Sequence, residues 1–124
     1  MIVHVDASAL IDALTGPRRA LPQLTAIVER GDRIAISTIV LYEWLRGPRV
    51  RSELAAQESL LPRDSAVPFT AAEASVAAGL YAKVSKPRGR EIDLAIAACA
   101  MAHNAALWTL NAEDFRDIPG LRVI

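Results

Sequence analysis

MIVHVDASALIDAL, residues 1–14, decides the fold. Ile2 to Val5 is a short β-branched run, Asp6 closes it, and Ala7 to Leu14 continues as an apolar helical stretch. A strand that runs straight into a helix raises one question, whether the pattern repeats. It does. Gly16-Pro17 breaks the first helix, and Leu21, Leu24, Ile27 and Val28 return at helical spacing until Gly31. Ile34 to Ser37 reads as a second strand, and a helix from Thr38 to Arg46 stops at Gly47-Pro48. Another helix carries Val50, Leu54 and Leu61. Ala66 to Phe69 reads as a brief or edge strand because Pro68 has no N–H to donate. Thr70-Ala71-Ala72-Glu73 is a capping box that opens a helix with Val76, Leu80 and Val84 on one face. A last helical pattern runs from Arg90 to Asn104, and Leu107 to Leu110 and Leu121 to Ile124 read as strands. Short strands alternating with helices predict an α/β sandwich, a parallel sheet of five short strands between two helical layers.

The rest of the composition narrows the function. With 124 residues, the chain fits one domain, residues 1–124, and 52% hydrophobic content gives it enough apolar residues for a real core. Lys+Arg and Asp+Glu are both 14, so any nucleic-acid binding rests on local patches and not on a global basic field. Cys99 stands alone, which permits a reducing compartment, and its simplest role is that of a small buried hydrophobe. The run from Leu94 through Ala102 is far short of the ~20 apolar residues that span a bilayer. With no basic n-region ahead of Asp6, the expectation is a soluble, cytoplasmic protein without a membrane partner.

In parallel sheets, ligands bind beyond the carboxyl ends of the strands. Four acids fall there. Asp6 follows the first strand, and Asp114 lies just past the Leu107 strand, within Thr109-Leu110-Asn111-Ala112-Glu113-Asp114-Phe115. Glu43 lies about one and a half turns into its helix, on a face shared with Ile39, Val40 and Gly47. Asp93 is in the first turn of the Ala-rich helix. Each has a duller role open to it: Asp6 as a helix cap, Asp93 as a dipole partner, Glu43 as a solvated residue, Asp114 in a turn with Asn111. Together they point to a cation, because clustered carboxylates raise one another's pKa unless one neutralises them. Carboxylate oxygens without His or thiolate partners select Mg²⁺, with Mn²⁺ able to substitute, and the chemistry implied is metal-activated water attacking a phosphodiester. His4 and His103 lack ligand spacing, and no Ser/His/Asp or Cys/His arrangement competes.

At these residues the chain resembles the PIN-domain ribonucleases, in particular the VapC-type toxins of toxin–antitoxin pairs. The resemblance runs almost end to end. It rests on Asp6-Ala7-Ser8, on Leu41-Tyr42-Glu43-Trp44-Leu45-Arg46-Gly47, on Asp93-Leu94-Ala95-Ile96-Ala97-Ala98, and on Thr109 to Phe115 with the tail Ile118-Pro119-Gly120-Leu121. It implies a PIN-like sheet ordered 3-2-1-4-5 and a Mg²⁺-dependent endoribonuclease site of Asp6, Glu43, Asp93 and Asp114, with Ser8, Thr109 and Asn111 in support. Glu113 has no counterpart and is expected in solvent, as is Asp12. The resemblance also implies a VapB-type antitoxin that neutralises the toxin, and a homodimer.

Two basic clusters flank the acids. Lys86, Arg88 and Arg90 precede Asp93, and Arg46, Arg49 and Arg51 follow Glu43; either could clamp phosphates, or be a solvated loop. With only 5% aromatics there is little to stack unpaired bases on, so a structured RNA positioned by shape, such as a tRNA or rRNA loop, suits the chain better. Two other readings stay in view. One is a phosphatase with Asp6 as phosphoryl acceptor, which would want a second Asp where Ser8 stands; the other is a binding module that keeps the fold without catalysis.

Overall fold

The computed structural model describes residues 1–124, Met1 to Ile124. Its order is β1 (Ile2–Val5), α1 (Ala7–Leu14), α2 (Leu21–Glu29), β2 (Arg33–Ala35), α3 (Thr38–Arg46), α4 (Arg51–Leu60), α5 (Ala71–Lys83), α6 (Glu91–Ala102) and β3 (Ala106–Trp108). Single 3₁₀ turns lie at Arg63–Ser65 and Ala112–Phe115. β1 is the middle strand, parallel to β2 with His4 opposite Ala35 and parallel to β3 with His4 opposite Leu107.

The sheet has three strands, not the five expected from the sequence. The two outer segments follow the expected order but touch the sheet at one residue each, Val67 beside Ser37 and Val123 beside Leu107. On the first side Pro68 has no N–H, and the Phe69 N–H turns to Thr38 Oγ1 at 3.3 Å instead of extending the ladder. On the other, Gly120, at φ +83°, reverses the chain so that only Arg122 to Ile124 reaches the edge.

Val3, His4 and Val5 of β1 and Ala106, Leu107 and Trp108 of β3 are all buried. Successive strand residues face opposite sides, so the sheet is covered on both faces, by α1 with α2, α3 and α4 on the one hand and by α5 packed on α6 on the other. α6 is buried from Leu94 to Ala100 around its whole circumference, which its Ala content allows by letting neighbours approach closely. That burial includes Cys99, whose thiol is pushed up to about 11 and does not ionise near neutrality. On α4 the buried residue is Gln57, while Val50 is exposed and Leu54 half-buried. Gln57 accepts from Trp44 Nε1 at 3.2 Å and donates to the Leu61 carbonyl at 3.0 Å, locking α3 to α4. No helix is long and apolar enough to cross a membrane.

His4 shows how this core responds to pH. Burial first, and the nearby His103 second, lower its pKa to about 4, and its Nδ1 has no hydrogen-bond partner. Between the ordinary imidazole value and 4 the unfolded chain binds a proton that the folded one refuses, so stability falls as pH falls through that window. We expect His4 to account for about 2 kcal/mol of the stability lost from pH 7 to pH 5. Urea melts of the parent and His4→Phe check it: an equal loss in both would exclude His4 as the source.

Candidate active site

Asp6 occupies the N-cap position of α1, yet its carboxylate caps nothing. Ser8 Oγ donates to Asp6 Oδ2 at 3.0 Å and Thr109 Oγ1 donates to the same oxygen at 2.7 Å. Each hydroxyl has one proton, so the 3.2 Å contact between the two hydroxyl oxygens is not a further hydrogen bond once both protons are spent on Asp6. The same hydroxyls accept from the chain beyond β3: Leu110 N–H donates to Ser8 Oγ at 3.1 Å, and Asn111 N–H to Thr109 Oγ1 at 3.0 Å. Ser8 and Thr109 therefore stitch the end of β3 to the start of α1 and fix one oxygen of Asp6, leaving Oδ1 without a protein partner. Asn111 contributes through its backbone, also accepting from Asp114 N–H at 2.9 Å, while its side chain is exposed.

Glu43 reaches this end of the sheet because Ser37 caps α3, its Oγ accepting from Val40 N–H at 3.1 Å, and because buried Val40 and Trp44 flank Glu43. α6 packs against both α3 and the 3₁₀ turn that holds Asp114, which brings Asp93 among the other acids. Their charges register on one another. Burial first, then Asp6 and Asp93, raise the pKa of Glu43, against Arg46. Burial first, then Asp6 and Asp114, raise that of Asp93, against Arg90. Asp114 itself is exposed.

No three of the chain's His, Cys, Asp and Glu side chains are drawn in around one ion position. The donor chemistry still fits a hard divalent cation. All four side chains offer oxygen only, Asp6 has a free oxygen, and two of the four carry charge at a cost that a dication would offset.

The basic residues divide. Arg46 stays by the acids, 3.5 Å from Glu43 Oε2 and 5.5 Å from the centre of the Tyr42 ring. Arg49 lies over Trp44, 4.4 Å from the ring centre, so its role is packing. Lys86 and Arg88 are exposed on the loop before α6 and form no ion pair. Arg90 is held within the protein by a fork to Asp117, at 2.9 and 2.6 Å. That partner escaped the sequence reading, although Asp117 stands only three residues after Asp114. Of the two acids expected in solvent, Glu113 is exposed and pairs with Arg116. Asp12 is half-buried instead, because its Oδ1 accepts from Ala20 N–H at 2.8 Å and ties the start of α2 to α1.

Comparison with known proteins gives the family and the fold. Residues 3–121 match the PIN domain family. Ribonuclease VapC19 of Mycobacterium tuberculosis is 33% identical over 123 residues, which is 95% of each chain. Among solved structures, VapBC2 from Rickettsia felis bound to a DNA fragment from its promoter aligns with a TM-score of 0.77 at 25% identity, over 100% of this chain and 98% of the other. A toxin–antitoxin complex from Klebsiella pneumoniae aligns with a TM-score of 0.74 at 27% identity, over 98% and 95% of the two chains.

Proposed function

The chain belongs to the PIN domain family, and from that premise we propose that it is a divalent-metal-dependent endoribonuclease, the toxin of a VapBC-type pair. The observation that carries the reading is the cluster at the carboxyl end of the sheet, where the charges of Asp6, Glu43, Asp93 and Asp114 oppose one another. The curated relative's name, a ribonuclease, supports the reaction, and the neighbouring complexes support an antitoxin partner. Asp6 and Asp93 would hold the ion, with Glu43 and Asp114 completing the set. When bound, Mg²⁺ or Mn²⁺ supplies Lewis acidity to the phosphodiester and makes a nucleophile of water at neutral pH. The chain's own residues prepare that chemistry. Ser8 and Thr109 hold Asp6 in one orientation, so its free oxygen needs little reorganisation. Burial and the charges of Asp6 and Asp93 leave Glu43 able to hold a proton nearer neutrality than an ordinary carboxylate, and Arg46 opposes part of that rise. Lys86 and Arg88, free of ion pairs, would take phosphates of a tRNA or rRNA loop, and two copies of the chain would pair as a homodimer in the cytoplasm.

Purified protein should cut cellular RNA at discrete positions in millimolar Mg²⁺, and chelation should abolish the new ends, which sequencing of 5′ termini reads directly. Persistence of the same ends in chelator would reject the metal mechanism, and intact RNA under every condition would leave a binding module in its place.

A further inference from the structure

We infer that Arg90 is a positioning residue, a clamp that sets Asp114 against Asp93, and not a contact to RNA; the inference rests on the proposal that these carboxylates bind a divalent cation. The guanidinium has four terminal N–H groups, and the protein uses them all. Nη1 donates to Asp117 Oδ2 at 2.9 Å and to the Ser85 carbonyl at 3.3 Å, while Nη2 donates to Asp117 Oδ1 at 2.6 Å and to the Asp114 carbonyl at 3.0 Å. Only 22% of the side chain is exposed. A phosphate would have to displace a two-pronged carboxylate that already satisfies the fork, whereas Arg88 and Lys86 next to it are exposed and unpaired.

The placement of the clamp gives it a task. Arg90 is the residue at which α6 begins, and Asp93 lies in the first turn of that helix. Asp114 and Asp117 belong to the segment after β3, whose 3₁₀ turn ends at Phe115. Phe115 is buried, but Asp114 is exposed, so the apolar core fixes the turn without fixing the acid. The bond from Nη2 to the Asp114 carbonyl and the planar fork on Asp117 fix that backbone in both distance and orientation, which a lysine cannot reproduce.

Asp117→Asn separates the two roles, because it releases Arg90 without removing it. Mn²⁺ alone is the probe, titrated calorimetrically into the full chain, with melts to show that each variant is folded. We expect Asp117→Asn and Arg90→Lys each to weaken Mn²⁺ binding by about tenfold, the scale of an outer-shell partner. Either change added to Asp114→Asn should weaken it little further, because the clamp acts through that residue. Binding of poly(U) in chelator gives the second readout. Arg88→Ala should reduce the salt slope by about one, and Arg90→Gln, which removes the charge, should leave it unchanged. Parent-like Mn²⁺ affinity in folded Asp117→Asn, with tighter and more salt-sensitive poly(U) binding, overturns the clamp and makes Arg90 an RNA contact. A full additional loss on top of Asp114→Asn also overturns it, by showing general damage. If Asp93→Asn, the control, binds Mn²⁺ as well as the parent does, the cation reading itself fails and the clamp falls with it.

Discussion

Asp93→Asn is expected to lose RNA cleavage by on the order of a thousandfold if the proposed metal site is right, because a metal ion's transition-state stabilisation is worth several kcal/mol and each ~1.4 kcal/mol is tenfold in rate. The substitution keeps the shape of the side chain in the first turn of α6 and removes one negative charge from the cluster. It should not unfold the protein. Burial and the charges of Asp6 and Asp114 raise the pKa of Asp93, so its ionised form is held at a cost that the amide avoids. After screening by solvent, the metal-free variant should be as stable as the parent or more stable by less than about 1 kcal/mol. Added Mg²⁺ should stabilise the parent by mass action and the variant clearly less. A role for Asp93 as a helix-dipole partner alone predicts the reverse, a less stable variant with a parent-like response to the ion. Cleavage assays with melts in chelator and in millimolar Mg²⁺ distinguish the two, and a destabilised variant that still cuts RNA would remove Asp93 from the site.

Trp44→Ala should cost about 3–5 kcal/mol, the range for deleting a large aromatic from a core. Against the ~5–15 kcal/mol that holds a typical domain together, that leaves the protein marginal. Trp44 is fully buried beside Glu43, its indole N–H is spent on Gln57, and Arg49 covers its face. Trp44→Phe keeps most of the volume and removes the donor, so Gln57 Oε1 loses its partner in the core at a cost of about 1–3 kcal/mol. Urea unfolding of both variants measures the two losses. A cost below about 1 kcal/mol for Trp44→Ala would mean that something other than this indole anchors α3.

The β-branched run at Ile2–Val5, the helical spacings and the punctuating Gly and Pro residues made the alternation of strands and helices legible, since those signals are local. Asp6 and Glu43 stood out for the same reason, one at the end of a strand and the other among apolar neighbours. The boundaries slipped where local preference was weak. Ile34 to Ser37 became Arg33–Ala35, because Ser37 serves α3 as its cap, and Leu107 to Leu110 became Ala106–Trp108.

The outer strands shrank to single bridges for a different reason. Pairing needs a partner's unbroken backbone as well as β-prone residues, and neither Pro68 nor the turn at Gly120 leaves one. Local pattern fixed which acids lie at the ends of strands and which helices follow them. Only the tertiary structure decided what their neighbours do: that Asp6 is held by Ser8 and Thr109 from across the sheet, that Gln57 is core, and that Arg90 is spent on Asp117. Those bonds join residues from 13 to 103 positions apart, apart from the one from Ser8. Their partners are chosen by the packing of whole elements, which no short stretch of sequence encodes.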